Sequence, residues 1–227
     1  MCVHGRFLWG SWLALILAAP GPVLGEGVPR DTLVILPPPD RAGHRPLEGL
    51  LQARESVRGF ASDPLTDVQI GQLLWAAGGT THTARFTHRT IPSAGALYPL
   101  EYYLVTAEGV ARYNPAAHAL HWIAGEDRRG ALAEAALQQK TVAEAPAVFV
   151  IAAEASRTTV KYGERGHRYV TMEVGFAAQN LLLEAVALEL GAVPVGAFRD
   201  SEVDRILELP DSQRAWLIIP VGVPRHQ

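Results

Sequence analysis

Cysteine is nearly absent: Cys2 is the only one in 227 residues. That excludes a disulfide framework, a cysteine-based zinc site, an iron–sulfur cluster and a thiol nucleophile in the body of the chain. A cationic surplus is missing too. Twenty basic residues face 23 acidic ones, for a net charge of −3, so there is no electrostatic footprint for nucleic acid or an anionic membrane surface. Charged residues are only 19% of the chain against 48% hydrophobic, which excludes disorder as the main state. No internal repeat occurs, and no twin-arginine pair precedes the N-terminal apolar run. The G-x-S-x-G elbow of a serine hydrolase is lacking as well, although Ser93 with a distant histidine stays open.

What is present begins with a separate N-terminal object. His4 and Arg6 precede an almost wholly apolar run over residues 7–19, which Pro20, Gly21 and Pro22 interrupt. Val23-Leu24-Gly25 then offers tolerated residues at a cleavage site. Residues 1–25 are therefore expected to be a signal peptide removed on export to a periplasmic or extracellular location, leaving no stable membrane span. The alternative is a misassigned start and a cytoplasmic protein. Residues 26–45, with Pro29 and Pro37-Pro38-Pro39, read as an extended lead-in, and residues 46–227 as the folded domain.

Within that domain, periodicity predicts a short helix over 46–53. Thr66 with Gln69 three residues on is a capping box that opens a second helix ending at Gly78-Gly79. A β-rich run covers 101–106, a hairpin 110–123, and an alanine-rich helix 128–140. Residues 147–152 read as a strand of the fully buried kind. Residues 168–190 read as the longest helix, apolar over more than half its circumference and closed by Gly191 at C′. A strand over 193–198, a helix over 201–207 and a strand over 216–221 complete an α+β domain without βαβ rhythm.

Three motifs could carry chemistry. In an extended stretch Arg54, Ser56 and Arg58 share one face, which suits a phosphate because guanidinium groups give forked, charge-assisted donors. The bland reading is a solvated charged turn. Pro92-Ser93-Ala94-Gly95-Ala96-Leu97-Tyr98-Pro99 is a small-residue turn whose backbone could approach a flat or anionic ligand closely. Lys161 and Tyr162, side by side, could serve acid–base chemistry, though such a pair is more often plain surface. A metal site is not expected. His118 and His121 fall on opposite faces of the predicted strand, and Glu164, His167 and Glu173 are the alternative set.

The R-x-S-x-R entry, the P-S-A-G-A-L-Y-P turn, Gln139 before Ala145-Pro146, the Gln179-Asn180 helix and Val193-Pro194-Val195-Gly196-Ala197-Phe198 occur in that order. The succession resembles the FMN-dependent nitroreductase superfamily over roughly residues 47–224. The turn and the Lys161-Tyr162 pair look like its azoline dehydrogenase (SagB/ThcOx-type) branch. The resemblance implies a homodimer of nitroreductase-like fold that binds FMN at the subunit interface and carries hydride through the flavin N5. Its substrate would be a small organic or peptide-derived molecule, with a small-molecule electron donor or acceptor. By the same resemblance Arg54, Ser56 and Arg58 match the positions that hold the phosphate and ribityl chain. Pro92, Ser93, Ala94 and Gly95 match the turn that reaches the flavin from the other subunit, and Gln139 a polar position near the pyrimidine edge. Gly196 and Ala197 match backbone lying near N5, and Lys161 and Tyr162 the pair acting on substrate. Arg225 is the one basic residue of the C-terminal tail that could complete the phosphate site. The rival from another class is a non-catalytic member using the fold for flavin or partner binding.

Overall fold

The computed structural model describes residues 28–83 and 87–225. The expected signal peptide over 1–25 lies outside the described residues. The elements run β1 (Leu33–Ile35), α1 (Leu47–Ala53), α2 (Asp67–Gly78), β2 (Thr80–Thr83), β3 (Thr87–Arg89), β4 (Leu100–Thr106), β5 (Gly109–Asn114) and β6 (Ala119–Ala124). They continue with α3 (Arg129–Ala135), α4 (Lys140–Glu144), β7 (Ala147–Ala153), α5 (Ser156–Tyr162), α6 (Arg165–Ala187), β8 (Gly191–Ala192), α7 (Asp200–Ile206) and β9 (Arg214–Gly222). Seven strands form one sheet in the order β1-β6-β5-β4-β7-β9-β8, every pairing antiparallel, and β2–β3 is a separate hairpin.

Both faces of the sheet are covered, which explains why β7 is apolar at every position. Its alternate residues serve different layers. Phe149 and Ile151 pack with Leu73 and Leu74 of α2 and Ala177 and Leu181 of α6. Val148 and Val150 pack on the opposite face with Leu132 of α3, Val142 of α4 and Val203 of α7. The α+β expectation holds, and so does the capping box. The Thr66 side chain accepts the Gln69 N–H, and the Gln69 side chain accepts the Thr66 N–H.

Four expectations need correction. The helix over 128–140 breaks: Leu137 and Gln138 take left-handed backbone at φ 58° and 61°, and the chain restarts as α4. The break brings Val142 into the layer of Leu132 and Ala135, so burial overrides helix propensity. Helix α6 starts three residues earlier than expected, at Arg165, and is closed by Glu189 at φ 59°, with the Leu190 N–H donating to the Ala185 carbonyl. Gly191 serves close approach instead, since a Cβ there would stand 2.6 Å from Val57. The strand expected over 193–198 reduces to a single Val195–Ile218 bridge, since β8 ends before it at Ala192 and Pro194 has no N–H to extend the ladder. His118 lies in the turn before β6 at φ 49°, outside the strand, its ring between the Tyr113 hydroxyl and the Pro37 carbonyl. Other elements went unforeseen: β1, inside the proline-rich lead-in, the β2–β3 hairpin and the helix α5.

Candidate functional site

Residues 54–60 leave α1 as an extended segment that joins the sheet edge. Ser56 bridges Ala192 in parallel sense, the Val57 N–H donates to the Ala192 carbonyl at 3.1 Å, and Phe60 bridges Pro224. Glu55 and Val57 line a cavity of about 500 Å³ together with Leu182, Gly191 and Ala192. By the two-residue alternation of extended chain, Arg54, Ser56 and Arg58 face the other way. Arg54 is half-buried, while Ser56 and Arg58 are exposed. Among the described residues neither guanidinium makes a hydrogen bond or an ion pair, whereas most other arginines do. Arg128, Arg129, Arg157 and Arg199 are all tied to carboxylates. Arg225 pairs with the same segment. Its backbone N–H donates to the Gly59 carbonyl, and its Nε and Nη2 donate to the Phe60 carbonyl at 3.1 and 2.7 Å, two residues beyond Arg58. Gln139 reaches the other end of β8's approach: its Nε2 donates to the Ala197 carbonyl at 3.1 Å, and both Gly196 and Ala197 are exposed.

The second group gathers around residues 92–98. This turn holds three left-handed residues, Gly95 (φ 63°), Ala96 (φ 54°) and Tyr98 (φ 46°), two of which carry side chains. Backbone of this kind persists only where the surroundings over-determine it. Here the Ser93 hydroxyl accepts the Tyr98 N–H at 2.8 Å, and Glu173 Oε1 accepts the Ala94 N–H at 2.9 Å. Arg157 Nη1 donates to the Tyr98 carbonyl at 3.2 Å, and the Arg89 guanidinium lies 4.7 Å over the Tyr98 ring. Lys161 and Tyr162 end α5 on the far side, where Gly163 turns the chain left-handed at φ 57°. Their tips rest against the turn. A Cβ added to Gly95 would stand 2.9 Å from Tyr162 Oη and 3.0 Å from Lys161 Nζ. The Tyr162 ring is itself braced edge-on by Tyr169 of α6 at 5.1 Å.

Thus the residues singled out in the sequence fall into two sets. Arg54, Ser56, Arg58 and Arg225 lie along one extended segment, with Gln139 bound to Ala197 beyond β8. Pro92, Ser93, Ala94 and Gly95 meet Lys161 and Tyr162. Among the described residues no hydrogen bond, ion pair or cavity joins the turn to the arginine segment. None holds a group of three metal-ligand side chains either; Glu173, one of the weak metal candidates, is spent on the turn.

A family model described as the nitroreductase family matches residues 51–223, which takes in both sets apart from Arg225. The chain belongs to the nitroreductase family. It is 46% identical over 182 residues to a protein of Methanocaldococcus jannaschii described as a nitroreductase, covering 78% of this chain and 90% of the relative. A crystal structure from Ralstonia eutropha, also described as a nitroreductase, superposes with a TM-score of 0.79 at 26% identity, over 92% of this chain and 97% of the other. The NADPH:FMN oxidoreductase of Vibrio harveyi shares the fold, with a TM-score of 0.59 at 23% identity, over 79% of this chain and 69% of that one.

Two residues of this nitroreductase-family chain escaped the sequence reading. Glu173, only 2% exposed on α6, had been weighed as a metal ligand, and its contact with Ala94 lies 79 positions away. Burial pushes its carboxyl above the ordinary range, against the pull of the Ala94 N–H, the Ser93 hydroxyl and the Arg89 charge. Arg157 links α5 to the sheet through Glu101 at 2.7 Å, as well as to the Tyr98 carbonyl. A glutamate opposite a left-handed turn leaves no local pattern. The single available signal was an acidic residue on an otherwise apolar helical stripe, Val170, Val174, Ala177 and Leu181.

Proposed function

We propose that the chain is an FMN-dependent oxidoreductase acting as a homodimer, with Arg54, Ser56 and Arg58 holding the phosphate and ribityl chain. The observation that carries this reading is the pair of guanidinium groups on one face of the 54–58 segment that no carboxylate of the described chain neutralises. An arginine pair left uncompensated beside an exposed hydroxyl is the donor set a phosphate monoester needs. The residues present therefore suit FMN, and family membership supports the same cofactor. Gly95 adds a second feature: backbone without a Cβ lets the tips of Lys161 and Tyr162 come down onto the turn, which puts both groups beside any ligand that the turn contacts.

Hydride transfer through N5 is the chemistry FMN supplies when bound. The chain's own residues bind and orient. Arg225, already turned onto the Phe60 carbonyl beside Arg58, adds positive charge at the phosphate end. Gln139 fixes the Ala197 carbonyl and with it the exposed Gly196-Ala197 backbone. Ser93 locks the turn through the Tyr98 N–H. Lys161 and Tyr162 stand where a substrate over the turn meets a proton donor or acceptor, as the azoline dehydrogenase resemblance implies, with a small organic or peptide-derived substrate. Separation of the turn from the arginine segment favours a site assembled from two copies. Exposed apolar side chains on two helices, Met172 (44% exposed) and Phe176 (45%) on α6 and Leu47 and Leu51 on α1, support the same arrangement.

The experiment is flavin retention. Arg54→Ala and Arg58→Ala should each lower FMN affinity about tenfold or more, the cost of one charge-assisted hydrogen bond. Unchanged occupancy after dialysis would show the phosphate assignment to be wrong. Flavin bound without oxidation of reduced nicotinamide in the presence of quinones or nitroaromatics would favour the non-catalytic reading.

A further inference from the structure

We infer that Glu173 is a positioning residue for the flavin-contacting turn: its buried carboxylate, by accepting the Ala94 N–H, holds the left-handed Gly95-Ala96 backbone against which Lys161 and Tyr162 rest. This rests on the reading of residues 92–95 as a flavin contact.

The restraints on the turn are unevenly distributed. Its C-terminal end is held several times over: the Ser93 hydroxyl takes the Tyr98 N–H, Arg157 takes the Tyr98 carbonyl, and the Tyr98 hydroxyl donates to the Thr87 carbonyl at 3.1 Å. At the N-terminal end Pro92 has no N–H, and the Ala94 N–H has one partner, Glu173 Oε1. Removing that partner leaves the front of the turn with only its internal bonds, Ala96 N–H to the Ser93 carbonyl at 3.0 Å and Leu97 N–H to the Ala94 carbonyl at 3.3 Å, while the back stays tied to Arg157 and Thr87. Left-handed backbone at Ala96, nearer the freed end, then relaxes toward commoner conformations while Tyr98 stays held.

Stability alone does not account for a glutamate here. Glu173 Oε2 is buried with no hydrogen-bond partner, so the side chain satisfies one N–H at the cost of desolvating a whole carboxyl. Val170, Val174 and Ala177 flank it on the same buried stripe, and a leucine would fill the position with less penalty. A residue that breaks the local rule and contacts a strained turn is best explained by what it does to that turn.

The test uses full-length protein with Glu173→Gln, Glu173→Leu and, as a control for general destabilisation of α6, Val170→Ala. Amide exchange at Ala94 is read without flavin, and FMN affinity is read by quenching of flavin fluorescence. Glu173→Leu should speed exchange at Ala94 and weaken FMN binding, each about tenfold. Glu173→Gln keeps an amide oxygen for the Ala94 N–H and should stay within about threefold of wild type on both readouts. Val170→Ala should lower the melting temperature and move neither. Wild-type exchange and affinity in Glu173→Leu would overturn the role of Glu173, as would a Val170→Ala effect on FMN equal to that of Glu173→Leu. Wild-type protein that takes up no FMN would refute the flavin reading itself, before any variant is compared.

Discussion

Gly95 gives the most direct way to connect backbone conformation to activity. It sits at φ +63°, and a Cβ built there would meet Tyr162 Oη at 2.9 Å and Lys161 Nζ at 3.0 Å. Gly95→Ala therefore does two things. It places a side chain in left-handed backbone, at a cost of about 1–2 kcal/mol. For a domain of this size that lowers the melting temperature by about 2–8 °C. It also pushes the tips of Lys161 and Tyr162 away from the turn, a shift these flexible ends can make without unfolding the protein. If those tips act on substrate, such a displacement should slow turnover about tenfold to a hundredfold. The assay is oxidation of reduced nicotinamide with a quinone acceptor, beside a thermal melt. Gly130→Ala is the control, because Gly130 is an exposed position of α3 with nothing within 4 Å of its absent Cβ and should be neutral or stabilising. A Gly95→Ala protein that melts and turns over like wild type would refute the argument.

Replacing Lys161 by Met and Tyr162 by Phe should leave FMN affinity within about threefold while slowing turnover about a hundredfold, a normal loss for an acid–base group; undiminished rates would return both to the surface. Burial raises the Glu173 carboxyl, so folding favours its neutral form. The stability this contributes is full below the ordinary glutamate range and is lost as pH rises through the raised value. Glu173→Gln should flatten that limb when melting temperature is followed against pH, and an unchanged profile would contradict it. Phe176→Lys on α6 should shift the protein from dimer to monomer in sedimentation and lower flavin occupancy with it; a dimer that persists with its flavin would place the interface elsewhere.

Legibility in the sequence followed the range of the forces involved. The capping box at Thr66 and Gln69, the buried strand β7 and the body of α6 rest on neighbours within a few positions, and all three were readable. The break at Leu137–Gln138 was not, because it answers to the packing of Val142 against a distant layer. Gly191 misled for the same reason: its lack of a Cβ serves Val57, which comes 134 positions earlier in the chain. The site shows the same division. The alternation of Arg54, Ser56 and Arg58 was visible, since extended chain fixes it locally. The contact of Lys161 and Tyr162 with Gly95 emerged only from the fold, through an α5 helix that the sequence reading omitted. Glu173 and Arg157 act on residues 79 and 59 positions away, and no local pattern names those partners.

The central claim is that the arginine segment holds an FMN phosphate. The visible absorption spectrum of the purified protein, incubated with excess FMN and then desalted, tests it most directly. The account predicts a yellow protein with a flavin band and close to one FMN per chain, lost on replacing both Arg54 and Arg58. Colourless wild-type protein after that treatment would contradict it.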